Sequence, residues 1–154
     1  MDIVYLVEET VLDMKEYIEE KGIELIFDTD VEEKSIECDK LDIERCIINL
    51  VSNAVKFTPE GGLIEVVLHD LHDKVKISVR DNGIGISEEN QKIIFDRFNQ
   101  GVDKSSEQKG GSGLGLTITK QLINLHGGEI YVDSKVDEGS EFVIILPVGN
   151  DFEK

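Results

Sequence analysis

The sequence predicts an α+β fold: a two-layer sandwich in which a mixed sheet is covered by helices on one face. Three observations predict it. Two pairs of alternating segments, 63–70 with 74–81 and 129–136 with 140–148, are joined by short turns and read as hairpins. Long stretches of helical period, 3–21, 40–57 and 114–128, are interleaved with them. With 154 residues, 40% of them apolar, and no repeat or interdomain linker, there is material for one core. Hairpins mixed with helices favour helices gathered on one side of the sheet.

Each element has a local reason. Val4, Leu6, Val7, Val11, Met14, Tyr17 and Ile18 recur at helical spacing, and Gly22 supplies a stop. Residues 23–30 alternate and read as a strand, and 35–39 as a second short one after a charged turn. Asp39 is placed to N-cap 40–57, whose apolar set is Leu41, Ile43, Cys46, Ile47, Leu50, Val51 and Ala54. Thr58-Pro59-Glu60-Gly61-Gly62 ends that helix with turn residues. After the first hairpin comes the glycine-rich turn 82–86, then a helix expected over 87–97. Residues 99–113 are polar, carry four glycines and show no period, which predicts a mobile loop. A last amphipathic helix ends at Gly127-Gly128, and the second hairpin turns at Asp137-Glu138-Gly139.

Composition narrows the function. Lys and Arg total 16 against 33 Asp and Glu, a net charge of −17. A phosphate-backbone binder would be basic, so nucleic acid and anionic membrane surfaces are poor partners. No apolar run approaches the roughly 20 residues of a membrane-spanning helix, and the first ten residues are acidic where a signal peptide is basic. Cys38 and Cys46 are too few for a disulfide scaffold and read as core residues of an intracellular chain. The acid is uneven: residues 1–44 hold 16 acidic and 4 basic residues, the remainder 17 and 12.

Three short patterns carry chemistry. Asn49 and Asn53 lie four apart on the 40–57 helix, with Lys56 three beyond, so all three share a face. Buried amides need partners, amide oxygens suit a hard cation such as Mg²⁺, and an ammonium suits phosphate; alternatively both asparagines face solvent or cap a loop. Asp81-Asn82-Gly83-Ile84-Gly85-Ile86 follows a strand directly. An Asp there can accept from an exocyclic amine, and glycines let backbone approach a flat ring; a plain strand-to-helix turn is the alternative. Gly110-Gly111-Ser112-Gly113-Leu114-Gly115-Leu116 opens a helix, where free N–H groups and the positive helix end attract anions. It fits neither the P-loop nor the dinucleotide-binding fingerprint.

Taken together, in this order and spacing, these patterns resemble the catalytic and ATP-binding domain of bacterial sensor histidine kinases, in the GHKL superfamily. Asn49–Thr58 resembles that family's N box, Asp81–Ile86 its G1 box, 94–98 its F box and Gly111–Leu116 its G2 box. Gly139-Ser140-Glu141-Phe142 is similar to its last turn, and the resemblance runs from about residue 3 to 148. It implies the Bergerat fold: a mixed five-stranded sheet, three helices and a mobile ATP lid over 99–113. It implies that Asp81 binds the adenine amine, with Gly83, Gly85 and Ile86 shaping the base site and Ser140 beside it. Asn53 with Asn49 would hold Mg²⁺, Lys56 would meet phosphate, and Phe57 and Phe98 would pack near the nucleotide. Gly111, Ser112, Gly113, Leu114, Gly115 and Leu116 would form the phosphate end, with Arg97 or Lys104 supplying positive charge.

One position discriminates within the superfamily. The gyrase, chaperone and anti-sigma-factor kinase branches carry a glutamate base where this chain resembles them at Asn49. An amide cannot take a proton near neutral pH, so hydrolysis and serine phosphorylation are disfavoured. A neutral histidine is already nucleophilic and needs chiefly positioning and charge neutralisation. The family's acceptor histidine is absent: His69 and His72 lie in a hairpin, and His126 ends a helix before two glycines. The resemblance thus implies a catalytic domain acting on a histidine of a separate dimerisation domain. Residues 1–22 would be the helix entering from that region and 23–150 the ATP-binding domain. A response regulator would be an indirect partner, the setting cytoplasmic, and the isolated domain monomeric without direct membrane contact. Gln100 stands where many relatives have an arginine, and Gly101 adds a residue to the run. Gln100 and the missing acceptor keep open a nucleotide-binding regulatory module, and a GHKL ATPase remains a further alternative.

Overall fold

The computed structural model describes residues 1–95 and 112–149, with side chains of the last helix from Leu116 onward. In chain order the elements are α1 (Ile3–Glu20), β1 (Glu24–Thr29), α2 (Lys40–Phe57), β2 (Leu63–Asp70), β3 (Lys74–Asp81), α3 (Glu88–Ile93), α4 (Ser112–Leu125), β4 (Glu129–Lys135) and β5 (Gly139–Pro147). Of the expected lid 99–113, residues 99–111, with Gln100, Gly101, Lys104 and Gly111, lie outside the described residues, as do Arg97 and Phe98; Ser112 and Gly113, expected in the loop, already belong to α4.

The sheet has five strands in the order β1-β2-β3-β5-β4. β1 pairs parallel with β2, and every other pair is antiparallel, so the sheet is mixed. The parallel pair needs a crossover, and α2 provides it. Leu25, Ile64, Val66, Leu68, Val75, Ile77, Val79, Phe142, Ile144 and Leu146 form a buried layer on one face. α1 packs beside β1, α2 on β2 and β3, and α4 on β4. The opposite face carries Glu65, His69, Lys76 and the exposed Arg80–Glu141 pair at 2.9 Å.

Capping sets the helix starts. Asp2 Oδ1 accepts from Val4 N–H at 3.1 Å, and Asp39 Oδ1 accepts from Asp42 N–H at 3.0 Å. α1 buries Ile3, Val4, Leu6, Val7, Val11 and Ile18, so it is part of the core. α4 ends in a Schellman turn, with Gly127 at φ 74° and Gly128 N–H on Ile123 O at 2.9 Å.

Two expectations are corrected. Residues 35–39 form no strand: they make one isolated bridge, Asp2–Ser35. The N–H of Ile36 goes to Met1 O and that of Glu37 to Val148 O, so the segment is threaded between two other pieces of chain instead of joining a ladder. The helix expected over 87–97 stops at Ile93, and Ile94–Phe95 are a turn. Phe95 there meets Phe142 edge-to-face at 6.2 Å, and its carbonyl accepts from Thr117 Oγ1 at 3.0 Å. A tertiary contact of that size outweighs another helical turn.

Candidate functional site

α2 presents the asparagines toward α4 and the sheet. Asn53 is 2% exposed, and neither its Nδ2 nor its Oδ1 has a hydrogen-bond partner among the described residues. A buried amide in that state destabilises the fold by roughly 1–3 kcal/mol per group. Asn49 is half-buried one turn earlier and donates from Nδ2 to Thr119 Oγ1 of α4 at 3.2 Å. Lys56 is also half-buried, and desolvation lowers its pKa. It lines a groove of about 410 Å³ shared by Met14 and Tyr17 of α1 and by Lys21, the residue that caps that helix. The expected shared face therefore divides, with Asn53 turned inward and Lys56 at the outer rim.

The loop after β3 is clamped from both sides. Asp81 is 8% exposed and its Oδ1 accepts from Gly83 N–H at 2.9 Å. Burial pushes its carboxyl above the ordinary value, against the opposing pull of the Gly83 and Ser140 backbone N–H groups. On one side Ile84 N–H reaches Phe57 O, the end of α2, at 3.0 Å. A Cβ on Gly83 would stand 1.9 Å from that oxygen, so only glycine fits. On the other side Asp137 N–H reaches Ile84 O at 2.7 Å, and a Cβ on Gly85 would stand 2.1 Å from Lys135 O.

The structure thus brings together Asn49, Asn53 and Phe57 on α2, and Asp81, Gly83, Gly85, Ile86 and Ser140 at the loop and β5. Ser112, Gly113, Leu114 and Gly115 form the first turn of α4, and Leu116 is buried in the core. Thus a helix does open where the glycine-rich pattern predicted one. A separate cavity of about 510 Å³, lined by Met1, Ile36, Cys38, Asp39 and His126, holds none of the candidate residues.

Sequence reasoning missed three residues. Ser134 Oγ accepts from Ile86 N–H at 2.8 Å, and Gln91 Nε2 donates to Ile86 O at 2.7 Å and Ser134 O at 2.9 Å. Thr119, fully buried, orients Asn49. A signal existed for Ser134: Ile130 and Val132 set the inward phase of β4, and Ser134 is the polar residue that continues it.

The histidines are accounted for. His69 Nδ1 meets Asp30 Oδ2 at 3.2 Å, and His72 sits in a turn at φ 73°. His126 Nε2 accepts from Asp39 N–H at 3.0 Å. Its proton therefore lies on Nδ1, which faces Leu122 O at 2.8 Å.

Residues 38–150 match the family described as "Histidine kinase-, DNA gyrase B-, and HSP90-like ATPase". The sensor histidine kinase GacS of Pseudomonas protegens is 45% identical over 116 residues, covering 73% of this chain and 13% of that protein. The chain therefore spans about an eighth of that relative's length. The solved catalytic domain of histidine kinase ThkA is 31% identical with a TM-score of 0.82, covering 97% of this chain and 95% of that one. Full-length ShkA in complex with AMPPNP is 30% identical with a TM-score of 0.82, covering 96% and 30%. ThkA in complex with the response regulator protein TrrA gives 30% identity and a TM-score of 0.79, covering 96% and 41%. With its five-stranded mixed sheet, its helix layer and these matches, the chain belongs to the histidine kinase-, DNA gyrase B- and HSP90-like ATPase family, and within it to the ATP-binding catalytic domains of sensor histidine kinases.

Proposed function

We propose that this domain binds Mg-ATP between α2, the 82–86 loop and the start of α4, and donates the γ-phosphoryl group to a histidine on a separate dimerisation domain. The observation that carries the reading is Asn53. A 2%-exposed carboxamide with both atoms unpartnered among the described residues supports a ligand-binding role, because buried polar groups are normally hydrogen-bonded.

In this reading Asp81 accepts from the adenine amine, and Gly83 and Gly85 let backbone line the ring. Asn53, assisted by Asn49, would hold Mg²⁺, which when bound would neutralise charge on the phosphates; an amide oxygen is a suitable hard donor. Lys56 at the rim, with Arg97, and the N–H groups opening α4 hold the phosphate chain in place. The acceptor imidazole nitrogen attacks the γ-phosphorus, the bond to the β–γ bridging oxygen breaks, and ADP leaves with that oxygen. Asn49 accepts no proton, in keeping with an acceptor that needs no base.

Residues 1–22 would join a dimerisation region while α1 packs in the core, and 23–150 would form the ATP-binding body. A response regulator would be an indirect partner, as the ThkA–TrrA complex shows for ThkA. Among the described residues no helix is long and apolar enough to cross a membrane. In this reading the domain works in the cytoplasm, without direct membrane contact. The isolated domain would be monomeric.

The test mixes this chain with the dimerisation domain of its parent protein and γ-labelled ATP. Acid-labile label should appear on the partner's histidine and not on this chain alone. Steady phosphate release without the partner would indicate an ATPase instead. ATP binding with no transfer would indicate a regulatory module.

A further inference from the structure

The register places three polar side chains in one cross-strand row on the helix-facing side of the sheet. Asp81 on β3 pairs with Ser140 on β5, and Ser140 pairs with Ser134 on β4. Asp81 and Ser140 are 8% and 5% exposed. Hydrogen-bond polarity along this row follows from the chemistry of the groups. Ser134 Oγ lies 2.8 Å from Gly139 O, a carbonyl that only accepts, so Ser134 places its single proton there. Ile86 N–H only donates, and it reaches Ser134 Oγ at 2.8 Å. The remaining contact of Ser134, to Ser140 Oγ at 2.8 Å, therefore uses the proton of Ser140. With its proton committed, Ser140 Oγ offers only lone pairs, the Ser140 backbone N–H is taken up by the Asp81 carboxylate, and the ionised Asp81 offers only lone pairs as well.

We infer that Ser134 is a specificity-determining positioning residue: by accepting the Ser140 proton it makes the base pocket acceptor-only. At the position that faces the purine 6-substituent such a pocket takes the 6-amino group of adenine, a donor, and disfavours a 6-oxo group, whose oxygen meets lone pairs there. Ser134 reaches the nucleotide through Ser140 and, through Ile86 N–H, fixes the loop that lines the base. The inference rests on the assignment of Asp81 to the base site. It adds to that assignment a residue from β4 and a rule for base selection.

Calorimetry on the full chain with ATP and with ITP, each with Mg²⁺, tests it. ITP carries a 6-oxo group and a protonated N1, the reverse of the adenine edge. Ser134→Ala frees the Ser140 proton to rotate toward the base. The ratio of ITP to ATP dissociation constants should fall about tenfold, the worth of one reversed hydrogen bond. Ser134→Thr, which keeps the hydroxyl, should retain the native ratio. Ser140→Ala removes the acceptor without providing a donor and should bring no gain for ITP. A Ser134→Ala variant that weakens both nucleotides by the same factor has lost only loop packing, and overturns the inference. If Ser134→Ala does not fold, Ser134→Cys, a weaker donor and acceptor, reads the same ratio. Asp81→Asn separates this from the underlying assignment: unchanged ATP affinity in that variant sinks the base site itself, whatever Ser134 does.

Discussion

Replacing Asn53 with leucine should stabilise the ligand-free domain and abolish its Mg-ATP response. Both side chains have four heavy atoms branching at Cγ, leucine being the bulkier, and position 53 is buried on α2. Two unpartnered polar atoms among the described residues together destabilise the fold by about 2–6 kcal/mol at 1–3 kcal/mol each. Part of that is not recovered, because a branched apolar side chain must settle into a space shaped for a flat amide. A net gain of about 1–3 kcal/mol remains, which raises the midpoint of thermal unfolding by about 2–4 °C per kcal/mol for a domain of this size. Urea denaturation without nucleotide should show a higher midpoint at unchanged slope, since the exposed surface on unfolding hardly differs. Saturating Mg-ATP at a hundred times its dissociation constant adds about 2.7 kcal/mol to the native chain by mass action. It should add almost nothing to the variant, so the order of stabilities closes up or reverses. A variant less stable than the native chain without nucleotide would refute the argument, as would one that Mg-ATP stabilises as fully. Either result would mean that Asn53 is held by the protein and is not reserved for a ligand.

Three more outcomes follow from the same geometry. Gly83→Ala must move its Cβ from 1.9 Å to about 3 Å from Phe57 O, which breaks the Ile84–Phe57 backbone bond; losing a buried bond of that kind destabilises by about 1–3 kcal/mol, and denaturation with ATP titration should show both stability and affinity falling. Because burial raises the Asp81 pKa, the native chain should lose ATP affinity on acidification above the ordinary carboxylate range, and Asp81→Asn should lack that component; the same shift makes the buried carboxylate's stability contribution largest below pH 3.8 and lost as pH rises through the raised value. Titration curves of the two proteins that superimpose would count against Asp81. Thr119→Val leaves Asn49 Nδ2 without that hydroxyl partner, and calorimetry should show Mg-ATP binding weakened about three- to tenfold, less than in Asn53→Leu.

Much of the fold was legible because apolar period and helix caps agree. Asp39 stands one residue before the helix it caps, and Gly22 and Gly127 take the positive φ that ends a helix. The misread segment 35–39 shows the limit. Alternation records that Ile36 is inward, but whether a ladder forms depends on what lies alongside, and here two different pieces of chain do. The short α3 shows another. Its early stop is decided by Phe142, 47 residues beyond Phe95, which no local pattern contains. Of the site, the asparagines were legible because a polar residue inside an apolar helix face demands an explanation. Ser134, Gln91 and Thr119 were not, since their partners come from other elements and their own neighbourhoods read as ordinary polar positions.

The two ends of the site are built differently, and this bears on the charge. At the base end the loop is locked by backbone: Phe57 O on one side, the Asp137 N–H on the other, with a Cβ on Gly139 standing 2.0 Å from Asp81 O. None of those contacts involves a charged side chain, so a net charge of −17 does not oppose them. On the proposed assignment charge matters at the phosphate end, and the sequence that would form it has a different balance. From Arg97 to Gly127 the sequence holds four basic and two acidic residues, while residues 1–44, which contain none of the matched nucleotide patterns, hold 16 of the 33 acids. On the proposed assignment base recognition depends on shape and hydrogen-bond polarity, and should vary little with salt. On the same assignment phosphate affinity depends on Lys56 and the start of α4, and should fall as ionic strength rises. Adenosine and ATP titrated over the same salt series separate the two, and an equal salt slope for both would refute the division.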